Sequence, residues 1–239
     1  MRRMVRRAGW DIVRIHHAGV RYLDHVPATA FESVLLRVTP SLDRLTFIQV
    51  GANDGRRYDP IFPFVNRHRW SGVLIEPVPE YFRCLQQTYA ENQHLTLVNA
   101  ALDVQEGTRP IFRIRPDLPG LPDWTHGLAS LDEARVRQAA TELGLDASAV
   151  VVESIATITW ANVWQRLDER RCDLLVIDTE GYDIRLLRLA GLAEHRPRIV
   201  QFEHACVTAD ERFSFYRELS NLGYEISTHE GDTTAHLPR

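Results

Sequence analysis

The sequence contains no lysine, so all 28 of its lysine-plus-arginine residues are arginine. This absence excludes catalysis through a lysine Schiff base and excludes a phosphate-binding loop built on lysine. The formal net charge is −4, which gives no reason to expect a nucleic acid as a partner. Composition is otherwise that of a globular protein, with 44% hydrophobic and 25% charged residues.

Cysteine and long apolar runs are scarce as well. Cys84, Cys172 and Cys206 are odd in number, far apart and without Cys-x-x-Cys spacing. This pattern predicts buried thiols in a reducing cytoplasm rather than disulfides or a zinc site. No apolar run reaches the length that spans a membrane.

The N-terminal stretch is basic, but no apolar stretch follows it, so it is not predicted to be a signal peptide. Arginines outnumber acids in residues 1–25, and Met4, Trp10 and Val13 could lie on an anionic membrane surface as a peripheral contact. The favoured alternative is a solvated segment docked on the rest of the protein. We therefore predict a basic helical segment at 1–44 and one catalytic domain at 45–239.

Residues 47–55 combine an apolar stretch typical of a buried strand with a glycine turn. Gly51 and Gly55 allow a sharp turn and a close approach of the backbone to a ligand. The next apolar stretch, 72–77, ends in Glu76 and Pro77. A carboxylate at the tip of this second strand can accept hydrogen bonds from both hydroxyls of a ribose, so the two stretches predict a nucleotide site.

The turn departs from the dinucleotide-binding fingerprint, because it has the form Gly-x-x-Asp-Gly rather than Gly-x-Gly-x-x-Gly. Asp54 would repel a pyrophosphate and favours a ligand with positive charge, such as S-adenosylmethionine (SAM). The alternative is that Asn53 and Asp54 only bond their own backbone in an Asx-turn.

Strand and helix patterns alternate along most of the chain. Strands are predicted at 45–50, 73–76, 95–102, 172–178 and 198–204, with helices between them and a hairpin at 224–237. Crossovers of this length predict an α/β fold with a mostly parallel sheet, helices on both faces and an antiparallel C-terminal hairpin.

Residues 107–153 interrupt this alternation and are predicted to be a lid-like insertion. Its segment 116–127 is rich in proline and glycine and contains Trp124. Ser130 and Glu133 match a capping box that begins a helix ending at Gly144; contact of Ser130 with a ligand is the alternative.

Several residues at the predicted strand ends could serve binding or catalysis. Asn99, Ala100 and Ala101 would leave room for an adenine ring after the third strand, with ordinary packing at a strand end as the alternative. Asp178, Glu180 and His204 are candidate bases, and the ordinary pKa of histidine suits that role best. Asp178 with Glu203 could instead hold a divalent cation, but no third ligand is evident, so we favour a base without metal.

Residues 47–55, 73–77, 99–102, 175–181 and Phe202-Glu203 together resemble the FkbM-type SAM-dependent methyltransferases. The resemblance implies a Rossmann-like methyltransferase sheet, SAM as methyl donor and O-methylation, often of sugars in glycans or natural products. It matches Gly51, Asn53 and Asp54 to the first SAM loop, Glu76 to the ribose acid, and Ala100 and Ala101 to the adenine side.

Gln49 departs from the family pattern, because methyltransferases often carry an acid at this position. A glutamine can bond an amide but cannot neutralise the ammonium of SAM, a role that would pass to Asp54 or Asp178. The expected acceptor is a small molecule or a glycan. Two other functions stay open: a catalytically silent module that binds SAM or a glycan, and a dinucleotide-dependent oxidoreductase, which the missing fingerprint disfavours.

Overall fold

The structure is a computed structural model that describes residues 29–167 and 171–238. Of the predicted basic helical segment at 1–44, residues 1–28, which include the stretch considered for membrane contact, lie outside the described residues. The strands are β1 (Thr46–Val50), β2 (Ser71–Ile75), β3 (Leu95–Val98), β4 (Ala101–Leu102), β5 (Gly107–Ile114), β6 (Ala129–Ser130), β7 (Val150–Ile158), β8 (Leu174–Ile177), β9 (Ile199–Glu203), β10 (Glu225–His229) and β11 (Asp232–His236).

Helices are interspersed with these strands along the chain. They are α1 (Ala30–Val38), α2 (Phe62–Val65), α3 (Pro79–Thr88), α4 (Glu133–Glu142), α5 (Trp160–Arg166), α6 (Asp183–Leu189), α7 (Leu192–His195) and α8 (Ala209–Asn221), with short 3-10 turns at Asp123–His126 and Ala147–Ala149. Among the described helices, none combines the length and the apolar character needed to cross a bilayer.

A seven-stranded sheet in the order β10-β11-β9-β8-β1-β2-β3 forms the centre of the fold. Strands β9, β8, β1, β2 and β3 are parallel, whereas β11 is antiparallel to both of its neighbours. Adjacent residues of a strand point to opposite faces, so Phe47 and Ile48 of β1 belong to two different hydrophobic clusters. The parallel sheet, the antiparallel hairpin and the apolar packing on both faces confirm the predicted fold class.

A second sheet, in the order β4-β7-β5-β6, was not predicted. Strands β5 and β7 pair antiparallel from Gly107 opposite Thr157 to Ile114 opposite Val150. The predicted third strand at 95–102 is wrong as a single element, since β3 joins the large sheet and β4 joins the small one. Local apolar patterning identifies strands but does not specify which distant strand each one pairs with, and that pairing divides this segment.

The predicted cap of α4 is also wrong. Asp132, not Ser130, is the N-cap, and its side chain accepts a hydrogen bond from the amide of Ala134. Ser130 lies in β6, where its hydroxyl donates to the carbonyl of Glu180 at 3.0 Å and accepts from the amide of Asp132 at 3.1 Å. Aspartate and serine are similar N-caps, so sequence alone did not separate them.

The three cysteines are free, as predicted, but they differ in burial. Cys172 is buried in the core, Cys206 is intermediate, and Cys84 is exposed. The prediction of a buried thiol is wrong for Cys84, because it lies on the solvent-facing side of α3.

Gly51 allows the ends of β1 and β8 to meet. Its backbone has φ +78, and a Cβ atom built on it would overlap the carbonyl oxygen of Asp178. Both features favour glycine at this position, because a side chain would clash with neighbouring backbone and would strain the left-handed conformation. The turn after β1 therefore lies directly against the loop after β8.

We predict that Gly51→Ala destabilises the protein far more than Gly120→Ala. Gly120 has the same φ of +78, but nothing lies within 4 Å of the position that a Cβ atom would take there. Gly120→Ala should cost about 1–2 kcal/mol from backbone strain alone, whereas Gly51→Ala should cost more than about 4 kcal/mol because it adds a backbone clash. Urea unfolding of both variants measures the difference; equal losses would show that the contact with Asp178 does not constrain this turn.

Candidate functional site

A cavity of about 270 Å³ lies at the carboxyl ends of β1, β2, β8 and β9. Ligands of open α/β sheets bind in this place, because the loops that follow parallel strands converge there. Gly51, Glu76, Asp178 and Glu203 line the side formed by the large sheet, and Ser130 of β6 lines the side formed by the small sheet. The insertion thus supplies one wall of the cavity.

Glu76 joins the loops that follow β1 and β2. Its carboxylate accepts hydrogen bonds from the amides of Asn53 at 2.7 Å and Val78 at 2.8 Å. The Asn99 amide donates to the carbonyls of Glu76 and Pro77 at 2.8 and 3.0 Å. Burial raises the pKa of Glu76 to about 7. Glu76 also lines the cavity. Its contact with a ribose stays a prediction, whereas its hydrogen bonds to the loops after β1 and β2 are observed.

The remaining predicted cofactor residues divide into two groups. Those that line the cavity are Gln49, Gly51, Asn53, Pro77, Ala100, Ala101 and Ser130. Asp54 and Asn99 are not among the residues of its lining. The Asp54 carboxylate accepts from the amides of Arg56 at 2.9 Å and Arg57 at 2.8 Å, which is the Asx-turn that the sequence analysis kept as its alternative. Asp54 is therefore not placed to meet the ammonium of a ligand.

His204, one of the three candidate bases, is also turned away from the cavity. Its side chain is buried, and Nδ1 lies 2.9 Å from the hydroxyl of Thr233 on β11. Burial, followed by the nearby Arg212, lowers the pKa of this imidazole. Glu203, the preceding residue, lines the cavity, and successive side chains of an extended chain point to opposite faces. This alternation places the carboxylate at the site and the imidazole behind it.

Three of the acids considered for catalysis or metal binding line the cavity: Asp178, Glu180 and Glu203. The pKa of each is raised to about 7, first by burial among protein groups and then by mutual repulsion. Asp178 is exposed toward the cavity itself, which leaves its carboxyl accessible to a ligand. Carboxyl groups that titrate near neutrality can act as proton acceptors at physiological pH.

The predicted metal pair, Asp178 with Glu203, differs from the group that the fold brings together. Among the described residues, Glu180, Glu203 and Cys206 place one ligand atom each within 4.8 Å of one another. Arg135 of α4 contacts two of them, with Nε 2.8 Å from the Cys206 sulfur and a terminal nitrogen 3.3 Å from the Glu180 carboxylate. The guanidinium therefore supplies positive charge at this cluster.

Asp183 holds the loop that carries Glu180. It is fully buried at the start of α6, and its carboxylate accepts from the hydroxyl of Thr179 at 3.0 Å and from the amide of Gly181 at 3.3 Å. Glu180 and Gly181 both have positive φ, at 54° and 99°. Asp183 was missed as a positioning residue, although an acid in the first turn of a helix is a signal of such a role.

Sequence reasoning also missed Tyr58 and Asp59. Asp59 lines the cavity, and its Oδ1 accepts from the amides of Ile61 at 2.8 Å and Phe62 at 3.2 Å. An aspartate followed by Pro60 is a signal for a helix start, but this signal does not indicate that Asp59 faces a cavity. Tyr58 lines the mouth with Trp124; both are exposed, and the Tyr58 hydroxyl donates to Asp123 at 3.0 Å.

Comparison with known proteins places the fold among methyltransferases. A family model described as "Methyltransferase FkbM domain" matches residues 49–226. No curated protein matches the chain in sequence. A crystal structure of methyltransferase FkbM from Methylobacillus flagellatus KT is similar, with a TM-score of 0.50 and 12% identity over 81% of this chain and 44% of that chain.

Two further solved structures are similar at lower scores. A precorrin-6y C5,15-methyltransferase from Geobacter metallireducens GS-15 has a TM-score of 0.43 and 12% identity, covering 86% of this chain and 87% of that chain. The METTL16 MTase domain has a TM-score of 0.43 and 9% identity, covering 82% of this chain and 61% of that chain. This chain thus spans less than two thirds of the M. flagellatus and METTL16 chains.

The raised pKa values predict that the protein loses stability as pH rises. Asp178, Glu180 and Glu203 have pKa values of about 7 in the folded protein, against about 4 for carboxyl groups in unfolded chains. Between these values the folded state binds more protons, so the free energy of unfolding falls from about pH 4 to about pH 7. Calorimetric melting should show a lower Tm at pH 8 than at pH 5.5, and Glu203→Gln should reduce this difference, because Glu203 is less exposed than Asp178. An unchanged difference in Glu203→Gln would contradict the assignment of a raised pKa to that carboxyl.

The loop at 116–130 is expected to gain protection when a ligand fills the cavity. Trp124, Gly127 and Ser130 line the cavity, so a bound ligand would contact this loop. Hydrogen exchange there should slow on addition of S-adenosylhomocysteine, while the loop at 144–148, which is outside the cavity lining, should exchange as before. Equal exchange with and without ligand in residues 116–130 would show that the insertion is a static wall.

Proposed function

The chain belongs to the FkbM methyltransferase family, and from that premise we propose that it is a SAM-dependent O-methyltransferase acting on a sugar hydroxyl of a glycan, glycolipid or natural product. The observation that carries this proposal is the cluster of Asp178, Glu180 and Glu203 in the cavity, each with its pKa raised to about 7. O-methylation requires a hydroxyl to lose its proton, and such a carboxyl can accept it.

The residues present fit SAM. Gly51 lines the cavity without a side chain, and the small side chains of Ala100 and Ala101 line it as well. The buried Oε1 of Gln49 has no hydrogen-bond partner among the described residues, so the site offers an unused acceptor. Glu76 would bond the ribose, and the two alanines would lie beside the adenine. SAM, when bound, supplies the electrophilic methyl group.

Asp178 is the favoured base. It follows β8, the strand next to β1, and its side chain is exposed to the cavity between the cofactor loops and Glu203. A positioned acceptor hydroxyl would donate its hydrogen bond to this carboxylate and transfer its proton as the oxygen attacks the methyl group. Glu180 and Glu203 would accept hydrogen bonds from neighbouring hydroxyls. His204 is not favoured as the base, because its imidazole is turned away from the cavity.

The rim of the cavity favours a sugar, and so do the carboxyl groups inside it. Tyr58 and Trp124 line the mouth and are 76% and 44% exposed. Exposed aromatic rings at a binding site offer apolar faces on which the C–H face of a sugar ring can stack. The carboxyl groups favour hydroxyl donors and disfavour phosphorylated acceptors, since like charges repel. These two features together favour a neutral polyol.

Metal-assisted methylation is the second candidate mechanism, because Glu180, Glu203 and Cys206 could ligate a cation if Arg135 moved aside. A catalytically silent protein that binds SAM or a glycan is the alternative function, and tight SAM binding without turnover of any sugar acceptor would favour it.

We predict that Asp178→Asn lowers kcat/KM by about 10²-fold or more, the usual scale for loss of a positioned base. Asp54→Asn is the matched control, because Asp54 follows β1 in the same region but does not line the cavity. Transfer of a labelled methyl group from SAM to a panel of sugars measures both variants. A kcat/KM near the wild-type value in Asp178→Asn would show that Asp178 is not the base.

The pH profile and a chelator separate the two mechanisms. If a carboxyl of pKa about 7 is the base, activity should rise with pH up to about 7 and then level off, because only the ionised form accepts a proton. EDTA should then have no effect. Loss of activity in EDTA with recovery in magnesium or manganese would instead favour the metal-assisted mechanism.

A further inference from the structure

Two buried oxygen atoms at the cavity have no hydrogen-bond partner among the described residues: Oε1 of Gln49 and Oδ2 of Asp59. Gln49 is 4% exposed, and both residues line the cavity. A buried acceptor without a donor is unfavourable, so a water, an ion or a ligand usually supplies the missing donor. Their position in the cavity identifies a place where a ligand presents N–H or O–H groups.

Asp59 is held in place for this role. Its other oxygen, Oδ1, accepts from the amides of Ile61 and Phe62 at the start of α2. These two bonds fix the orientation of the carboxyl and leave Oδ2 free. Burial raises the pKa of Asp59 to about 6, and the amide of Ile61, then the side-chain amide of Gln49, then the amide of Phe62 partly offset this rise by hydrogen bonding to the carboxyl. A cation bound at Oδ2 would offset it further.

The other acids of the region are engaged differently. The Asp54 carboxylate is occupied by the amides of Arg56 and Arg57 and lies outside the cavity lining. Glu76 bonds two backbone amides, and Asp178 lies with Glu180 and Glu203 on the side proposed for the acceptor. Among these acids, Asp59 alone combines a rigidly held carboxyl, an unpartnered oxygen and a neighbouring unpartnered amide oxygen.

We propose that Asp59 and the amide oxygen of Gln49 together receive the ammonium group of SAM. This proposal rests on SAM binding. It assigns the negative charge that Gln49 lacks to Asp59, ten positions further along the chain. An ammonium has three donors, enough to bond both orphaned oxygens at once. The pair would therefore select ligands that carry an amino-acid group rather than a nucleoside alone.

Calorimetry with two ligands tests the proposal. S-adenosylhomocysteine carries the amino-acid group, and methylthioadenosine has the same nucleoside and sulfur without it. Asp59→Asn keeps an oxygen for the amides of Ile61 and Phe62 but removes the negative charge. This substitution should weaken the binding of S-adenosylhomocysteine by at least about tenfold, which is the scale of a hydrogen bond to a charged group. The affinity for methylthioadenosine should stay within about twofold of the wild-type value.

Asp54→Asn is the matched control and should change neither affinity, because that carboxyl also bonds two backbone amides but lies outside the cavity lining. Unchanged affinity for S-adenosylhomocysteine in Asp59→Asn overturns the proposal. An equal loss for both ligands also overturns it, because it shows that Asp59 only shapes the loop. Binding of neither ligand by the wild-type protein would instead reject SAM as cofactor, and with it the proposed function.

A measurement on the wild-type protein keeps the proposal testable if Asp59→Asn does not fold. An analogue of S-adenosylhomocysteine in which hydrogen replaces the amino group should bind at least about tenfold more weakly than S-adenosylhomocysteine itself. Equal affinity for the two ligands would show that no group of the protein recognises the ammonium.

Discussion

The cavity depends on the contact between the turn after β1 and the loop after β8. Gly51 meets the carbonyl of Asp178 with no side chain between them, at a backbone conformation that disfavours other residues. Parallel pairing of β1 with β8 and β2 brings both loops to the same edge of the sheet. Glu76 and Asp178, proposed for the ribose and the acceptor, directly follow two of these strands.

Burial of carboxyl groups is the main energetic cost of this arrangement. Glu76 and Asp183 are buried, and each is compensated by hydrogen bonds from loop amides or a hydroxyl. These bonds hold the loops, but desolvation still raises the pKa of both groups, to about 7 for Glu76 and well above its ordinary value for Asp183. Desolvation by the surrounding protein is also the first cause of the raised pKa values of Asp178, Glu180 and Glu203. The same cost supplies carboxyls that can exchange protons near neutral pH.

The small sheet explains how the insertion at 107–153 is attached to the rest of the fold. Strand β4 follows β3 directly and pairs with β7, so the second sheet is attached at the adenine-side turn. Through β6, Ser130 bonds the carbonyl of Glu180, which ties the insertion to the acidic loop. An element that looks like an interruption of the alternating pattern therefore lines the cavity and contacts its acidic loop.

Local patterns in the sequence determined the elements of the large sheet. Apolar runs such as that of β8, glycine at position 51 and the acid at position 76 were sufficient for the parallel sheet, the family and most of the cavity lining, because each depends on neighbouring residues. Tertiary structure decided the rest. Whether Asp54, His204 or Asp59 reaches the cavity depends on backbone turns and on which face of a strand each side chain leaves. The pairing of β5 with β7 depends on contacts between residues far apart in the chain. Periodicity does not encode either feature, because it reports local geometry and not long-range packing.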